Sequence, residues 1–243
     1  NGFVFNSVKR FLKTLKEPVL TEFDIAKQYD FSKELSSDII SSFKSQKEIE
    51  YEKFIKFTNS RNKVLEHYIV FDVETTGLDA SKEDIIEIAA IKFERDIPSE
   101  IFSTFVKPSK SIRKKITDIT GITDEDVVNA PSIEEVLPHF LNFISDYTLI
   151  AHNAIFDMEF ILDKLYKNGY KKVTNKVIDT LTLSRKYIRT YEGKKLKSYS
   201  LPSLHEELGL NYSSHRALED CKSCASVYKA CKSEMKFKDE LVY

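Results

Sequence analysis

The sequence predicts a mixed α/β sheet with helices packed around it, preceded by a helical N-terminal segment. Three observations lead there. A short apolar run at 68–73 (YIVFDV) is followed by two more strand-like segments, at 84–93 and 100–106, with turn signals between them. Segments of helical and strand period then alternate as far as residue 231. Residues 1–66 share neither texture: they are rich in Lys, Glu, Ser and Phe and contain only Pro18 and Gly2 as breakers.

In that first segment apolar residues recur at helical spacing. Phe11, Leu12 and Leu15 form one group. Phe31, Leu35, Ile39, Ile40 and Phe43 form a second, and Ile49, Phe54 and Ile55 a third. The pattern predicts two to four amphipathic helices with a break near Pro18. Such helices must lay their apolar stripe on the following domain, on another protein or on one another. Residues 1–66 are therefore set apart as a helical extension, and 67–243 as the main domain.

Within the main domain, 132–144 reads as a helix and 148–151 as a strand. The helix at 154–167 is stopped by Gly169, and 176–179 is a strand. Helices are expected at 201–208 and 216–231. Three strands in series, then alternating helices and strands, call for a mixed sheet covered by helices.

Composition narrows the function. With 42% hydrophobic and 31% charged residues over 243 positions, the chain is an ordinary globular protein that needs no disulfide or metal staple. Its formal net charge of −1 provides no global basic field, so any nucleic-acid site must be a local patch. Cys221, Cys224 and Cys231 crowd one predicted helix. An odd cluster of this kind suits a reducing compartment, and without a second Cys or His pair it reads as small apolar residues rather than a zinc site. No run is long enough to span a bilayer and no signal peptide is evident, so a cytoplasmic protein without membrane contact is expected.

Three acidic motifs remain. In FDVETTG, Asp72 and Glu74 lie two apart on a strand and so project from one face. Two like charges in an apolar strand are costly unless a cation joins them, and oxygen ligands suit Mg²⁺ or Mn²⁺. Taken alone, D-x-E fits a solvated strand edge equally well. In HNAIFD, Asn153 is placed to cap a helix and Asp157 sits in its first turns, where, taken alone, service to the helix dipole is the favoured reading. Strand-to-helix junctions of α/β sheets are where sites gather. In HRALED, His215 and Asp220 are five apart. One helix would turn them away from each other, so a shared site requires His215 in the preceding loop.

The order D-x-E, H-N-x-x-F-D, H-x-A-x-x-D resembles the DEDDh (DnaQ-like) family of 3′→5′ exonucleases over residues 67–231. ETTG at 74–77, ITGIT at 119–123 and DTLTLSR at 179–185 make it most similar to the proofreading exonuclease, or epsilon subunit, of bacterial replicative DNA polymerases. The resemblance implies a ribonuclease H-like sheet and catalytic residues at Asp72, Glu74, Asp157, His215 and Asp220. It also implies two divalent ions, Mg²⁺ or Mn²⁺, about 3.5–4 Å apart, clamping the attacking and leaving oxygens. Asp72 would bridge them, Glu74 and Asp157 would complete the shells, and Asp220 would hold the ion that activates water. His215 would accept the water's proton. Products would be nucleoside 5′-monophosphates.

By the same resemblance, the backbone at Thr75, Thr76 and Gly77 would receive the terminal sugar, with Gly77 allowing close approach. Leu78 would wedge against the terminal base, unless it is an ordinary packed leucine. Asn153 would contact the substrate backbone, or serve only as a cap. Basic residues at 107–115 and at 185–199, the latter interleaved with Tyr187, Tyr191 and Tyr199, would grip phosphates and bases, or form solvated loops. The leading expectation is a DNA exonuclease acting on a single-stranded or frayed 3′ end in proofreading or repair, with a polymerase subunit as a possible partner. An RNA-trimming enzyme uses the same metal chemistry. A non-catalytic binding subunit is the third reading, and clustered acids facing phosphates argue against it.

Overall fold

The computed structural model describes residues 46–60, 64–210 and 216–240. The helices expected before residue 46, and His215, lie outside the described residues. The chain divides into two compact units, Asn1–Phe54 and Ile55–Tyr243. In the first, helix α1 spans Gln46–Phe54.

The second unit is built on a six-stranded sheet of order β1-β6-β5-β2-β3-β4. Its strands are β1 (Thr58–Asn59), β2 (His67–Thr75), β3 (Ile85–Glu94), β4 (Ile97–Phe105), β5 (Leu149–Ala151) and β6 (Lys176–Asp179). Strands β1, β6, β5 and β2 run parallel, and β3 and β4 are added antiparallel. The sheet is mixed and ribonuclease H-like, as expected.

Strand β2 is central, and its residues 68–71 are wholly buried, which is why the run is apolar on both faces. On one face Tyr68 and Val70 join Ala89, Ile91 and the long helix α8 (Ala217–Glu240) in the main core. Cys221, Cys224 and Cys231 lie in that core as free, buried thiols, the apolar role expected of them. On the other face Phe71 meets Phe140 of helix α4 (Ile133–Ile144), which opens with the Ser132/Glu135 capping box.

Several observed elements depart from the expected ones. Strands β3 and β4 meet in a two-residue turn at Arg95–Asp96, both with positive φ (52° and 65°). This left-handed pair is the hairpin-turn geometry, but Arg-Asp lacks the Asn-Gly signature. Short helices α2 (Lys114–Thr120) and α3 (Asp124–Val127) form where no element was expected, because each buries a single residue and carries no apolar stripe. The ITGIT segment joins them through Gly121 at φ 71°. Helix α8 continues past residue 231 to Glu240. Finally, Thr58–Asn59 was assigned to a helical extension, yet it pairs with Lys176–Val177 at the sheet edge. Two residues are too few to show a strand period.

The remaining helices are α5 (Ala154–Lys167), α6 (Thr180–Tyr187) and α7 (Leu201–Glu207). Helix α6 was also unexpected; it starts directly at the end of β6, where Asp179 caps it.

Candidate active site

The α8-facing side of β2 is apolar at Tyr68 and Val70 and becomes acidic at Asp72 and Glu74. Helix α8 lies over β2 and β3 and carries Asp220 in its first turn. Carboxylate oxygens of Asp72, Glu74 and Asp220 come within 4.8 Å of one another, all three side chains being half-buried. Three of the expected site residues, two from one strand and one from a distant helix, are thus brought together.

Asp157 reaches the site from the other side. Ile69 donates its N–H toward the β5 side of β2, so the N–H of Val73 points the same way. Strand β5 ends at Ala151, too early to receive it. Helix α5 follows, and Asp157 Oδ1 accepts the Val73 N–H at 3.2 Å. The buried carboxylate takes the place of a missing strand partner.

Asn153 differs from its expected role. Its side chain does not cap α5; the residue is left-handed (φ 64°, ψ 47°), a conformation asparagine tolerates. Asp179 does the fastening, accepting from Asn153 N (2.9 Å), Leu181 N (3.0 Å) and the Thr182 hydroxyl (2.6 Å). The exposed Asn153 side chain is left facing solvent. His152 is a strut between Thr180 Oγ1 (2.9 Å) and the Tyr199 carbonyl (3.0 Å). Burial lowers its pKa, so the ring is neutral, with Nε2–H donating to the carbonyl.

The electrostatics follow from the crowding. Burial first, then Asp220 and Glu87, pushes Glu74 up to about 8. Burial, then Asp157 and Glu74, raises Asp72 well above the carboxylate range. Burial also raises Asp157. Acids held this way call for a cation, and an all-oxygen donor set fits a hard divalent ion.

The loop after β2 is fastened by its own hydroxyls. Thr75 Oγ1 donates to the Gly77 carbonyl (2.7 Å) and Thr76 Oγ1 to Glu83 (2.7 Å). Arg113 Nη2 binds the Thr76 carbonyl (2.6 Å) and Glu83 (2.8 Å). A Cβ on Gly77 would lie 2.6 Å from Arg113 Nη2 and 2.8 Å from Glu83 Cδ, so any side chain there must displace one of that pair. Leu78 is 87% exposed, which removes the packed-leucine alternative. Of the basic segments, Arg113 is occupied in the loop and Tyr187 is buried. The Tyr199 hydroxyl accepts Leu196 N, whereas Tyr191 is fully exposed.

Sequence reading missed Glu87, Arg216, Lys164 and Asp179. The first had a signal: a single acid inside the buried strand IIEIAAI. Lys164 was hidden in a helix; its Nζ reaches the Glu83 carbonyl at 2.6 Å and ties α5 to the Thr76–Glu83 loop.

Residues 69–228 match the family model RNase_T, described as Exonuclease. The chain belongs to this exonuclease family. Among its relatives are DNA polymerase III PolC-type proteins of Thermotoga maritima (43% identical over 162 residues, 66% of this chain and 11% of the relative) and Clostridium perfringens (40% over 172 residues, 70% and 12%). The chain thus spans only about a ninth of the curated relatives' length. Escherichia coli exonuclease I in complex with a dT13 oligonucleotide shares the fold at TM-score 0.62 and 19% identity, over 73% of this chain and 43% of the other. Exonuclease X in complex with 5′ overhanging duplex DNA matches at TM-score 0.53 and 26% identity, over 70% and 92%. Among the described residues no helix is long and apolar enough to cross a membrane.

Proposed function

We propose that this exonuclease acts on the 3′ end of a DNA strand, releasing nucleoside 5′-monophosphates, and that it proofreads for a replicative polymerase. The observation that carries this reading is the convergence of Asp72, Glu74 and Asp220, with Asp157 behind them, at one end of the sheet. The PolC-type relatives and the DNA complexes among the structural neighbours favour DNA over RNA. The same bacterial relatives support a cytoplasmic setting.

Asp72, Glu74, Asp157 and Asp220 would hold two ions, Mg²⁺ or Mn²⁺ by ligand hardness. Bound there, the ions would supply Lewis-acid stabilisation of charge on the phosphoryl and on the attacking and leaving oxygens. Asp157, fixed to Val73, keeps α5 and β2 in register around them. His215, one residue before Arg216, is assigned the general base, as a neutral imidazole that accepts the water's proton. The Thr75–Gly77 loop, held in place by its Thr75, Thr76, Glu83 and Arg113 contacts, takes the terminal sugar. Leu78 wedges the terminal base and Asn153 meets the strand's backbone. Exposed Tyr191 and its lysine neighbours grip the strand further back. In this reading the residues before Ile55 are an extension outside the exonuclease domain, serving to dock a partner.

Parallel assays on single-stranded DNA and RNA, with and without chelator, test it. The expected result is Mg²⁺- or Mn²⁺-dependent release of mononucleotides from DNA, stopped by a 3′-phosphate but not by a 5′-block. Full activity in excess EDTA, or release from a 3′-phosphorylated strand, would overturn it.

A further inference from the structure

Glu74, Glu87 and Phe105 form one row across the sheet. Glu74 of β2 pairs with Glu87 of β3, and Glu87 pairs with Phe105 of β4. Directly opposed residues project from the same face. The three side chains therefore stand side by side beneath the start of α8.

Glu87 is almost wholly buried and its carboxylate is filled. Arg216 engages it through Nη2 (2.8 Å to Oε1) and Nε (3.1 Å to Oε2), a two-pronged contact. The backbone N–H of Ala217, first residue of α8, donates to Oε2 at 3.1 Å. The Arg216 guanidinium also lies 4.9 Å over the Phe105 ring. Thus Glu87 is an acid beside the ligand cluster that is committed to a helix start, where negative charge is favoured.

We infer that Glu87 and Arg216 are positioning residues that fix the start of α8 on the β3–β4 edge of the site and thereby set Asp220 against Asp72 and Glu74. The inference rests on the reading of those three acids as metal ligands. Asp220 lies three residues beyond Ala217, less than one turn, so a slide or rotation of the helix start passes directly to its carboxylate. The strand register supplies the reference: Glu74 is a ligand and its cross-strand partner is the anchor, so one ladder step relates them. Arg216 also follows His215 directly, so the same anchor bounds the segment bearing the proposed base.

The test measures metal binding directly. Mn²⁺ titration followed by electron paramagnetic resonance and calorimetry is run on the full chain and on E87Q, E87A, R216K, R216A and D220A. Groups that orient metal ligands typically contribute roughly 10–100-fold in affinity. A loss of that size is expected for E87A and R216A. R216K, which keeps the charge but loses the fork, should show a smaller loss, as should E87Q. In turnover, R216K should need more Mg²⁺ for half-saturation and recover kcat at saturating metal, with KM for the oligonucleotide unchanged. A merely structural pair would lower Tm and leave the Mn²⁺ affinity of the folded protein intact. Wild-type Mn²⁺ affinity in all four Glu87 and Arg216 variants, beside a large loss in D220A, overturns the inference alone. Wild-type affinity in D220A overturns the ligand reading and the inference with it. R216K and E87Q keep the test decisive should an alanine variant fail to fold.

Discussion

Asp157 accepts the backbone N–H of Val73, and Val73 is the residue between Asp72 and Glu74. One carboxylate therefore has two duties, charge for the site and an acceptor for a buried N–H, and substitutions separate them. Asp157→Asn keeps an oxygen for Val73 and removes the charge. Asp157→Ala removes both and leaves a buried donor unmet, at about 1–3 kcal/mol. Turnover should fall by orders of magnitude in each. Thermal unfolding of the metal-free proteins should place the Asn variant above the Ala variant by about that amount. Near-wild-type turnover in Asp157→Asn would reduce Asp157 to its bond with Val73.

The raised acids predict how stability varies with pH. Glu74 has an ordinary value of 4.5 and is pushed up to about 8 in the fold. Between those limits the folded protein retains a proton that the unfolded chain has released. Its contribution is fully present below about 4.5 and is lost as pH rises through about 8. Asp72 and Asp157, also raised, act with the same sign. In chelator, Tm should fall as pH rises from about 5 to about 9, and Glu74→Gln should flatten the fall. Saturating Mg²⁺ should abolish it, because a bound cation favours the ionised forms. Calorimetry in EDTA showing Tm flat or rising over this range would contradict the burial of like charges.

The sequence made the central strands and the acidic motifs legible because both leave periodic or spaced signals. Asp72 and Glu74 sit two apart on a strand, and the main-core face that they extend is apolar. The partners that fix the site left weaker marks. Asp179 caps α6 and also holds the left-handed Asn153, a junction between segments 26 residues apart that no local pattern records. Asn153 was expected to cap α5, because helix N-termini favour that residue, but its side chain makes no cap bond. Arg113 looked like one charge in a basic run, yet it is bound to the Thr76 carbonyl, 37 residues away. Long-range polar contacts of this kind have no period, so sequence spacing cannot place them. Strand β1 escaped for a different reason: two residues carry no alternation.

Gly77 predicts a coupling. Its Cβ would meet the end of Arg113 and the stem of Glu83, while its backbone lies outside the left-handed region. Gly77→Ala should therefore act by displacing Arg113 from the Thr76 carbonyl. Both Gly77→Ala and Arg113→Ala should raise KM for an oligonucleotide severalfold, with little change in the Mg²⁺ concentration for half-maximal rate. In the double variant the effects should be less than additive, since Glu83 can move into the space Arg113 vacates. Strict additivity would show that the two substitutions disturb the loop independently.

The boundary of the catalytic unit can be located by truncation. The second compact unit begins at Ile55, and β1 adds to it through the Thr58–Lys176 and Asn59–Val177 pairs and a Ser60 N–H to the Val177 carbonyl. Leu65 is fastened as well, its N–H to the Tyr228 hydroxyl (3.0 Å) and its carbonyl to the buried Lys232 ammonium (2.5 Å). A chain starting at residue 55 keeps all of these, whereas one starting at 67 loses them and leaves Lys232 with Asp96 as its remaining partner. Each lost hydrogen bond is worth about 0.5–1.5 kcal/mol, more where a charged group takes part. The 55–243 fragment should fold and match the full chain's turnover on a short oligonucleotide. The 67–243 fragment should unfold at a clearly lower temperature while keeping Mg²⁺-dependent activity when cold, because Asp72, Glu74, Asp157 and Asp220 are all retained. Equal Tm for the two fragments would show that β1 and the Leu65 contacts add nothing to the fold. An insoluble 55–243 fragment would place part of the first 54 residues within the catalytic domain's own structure.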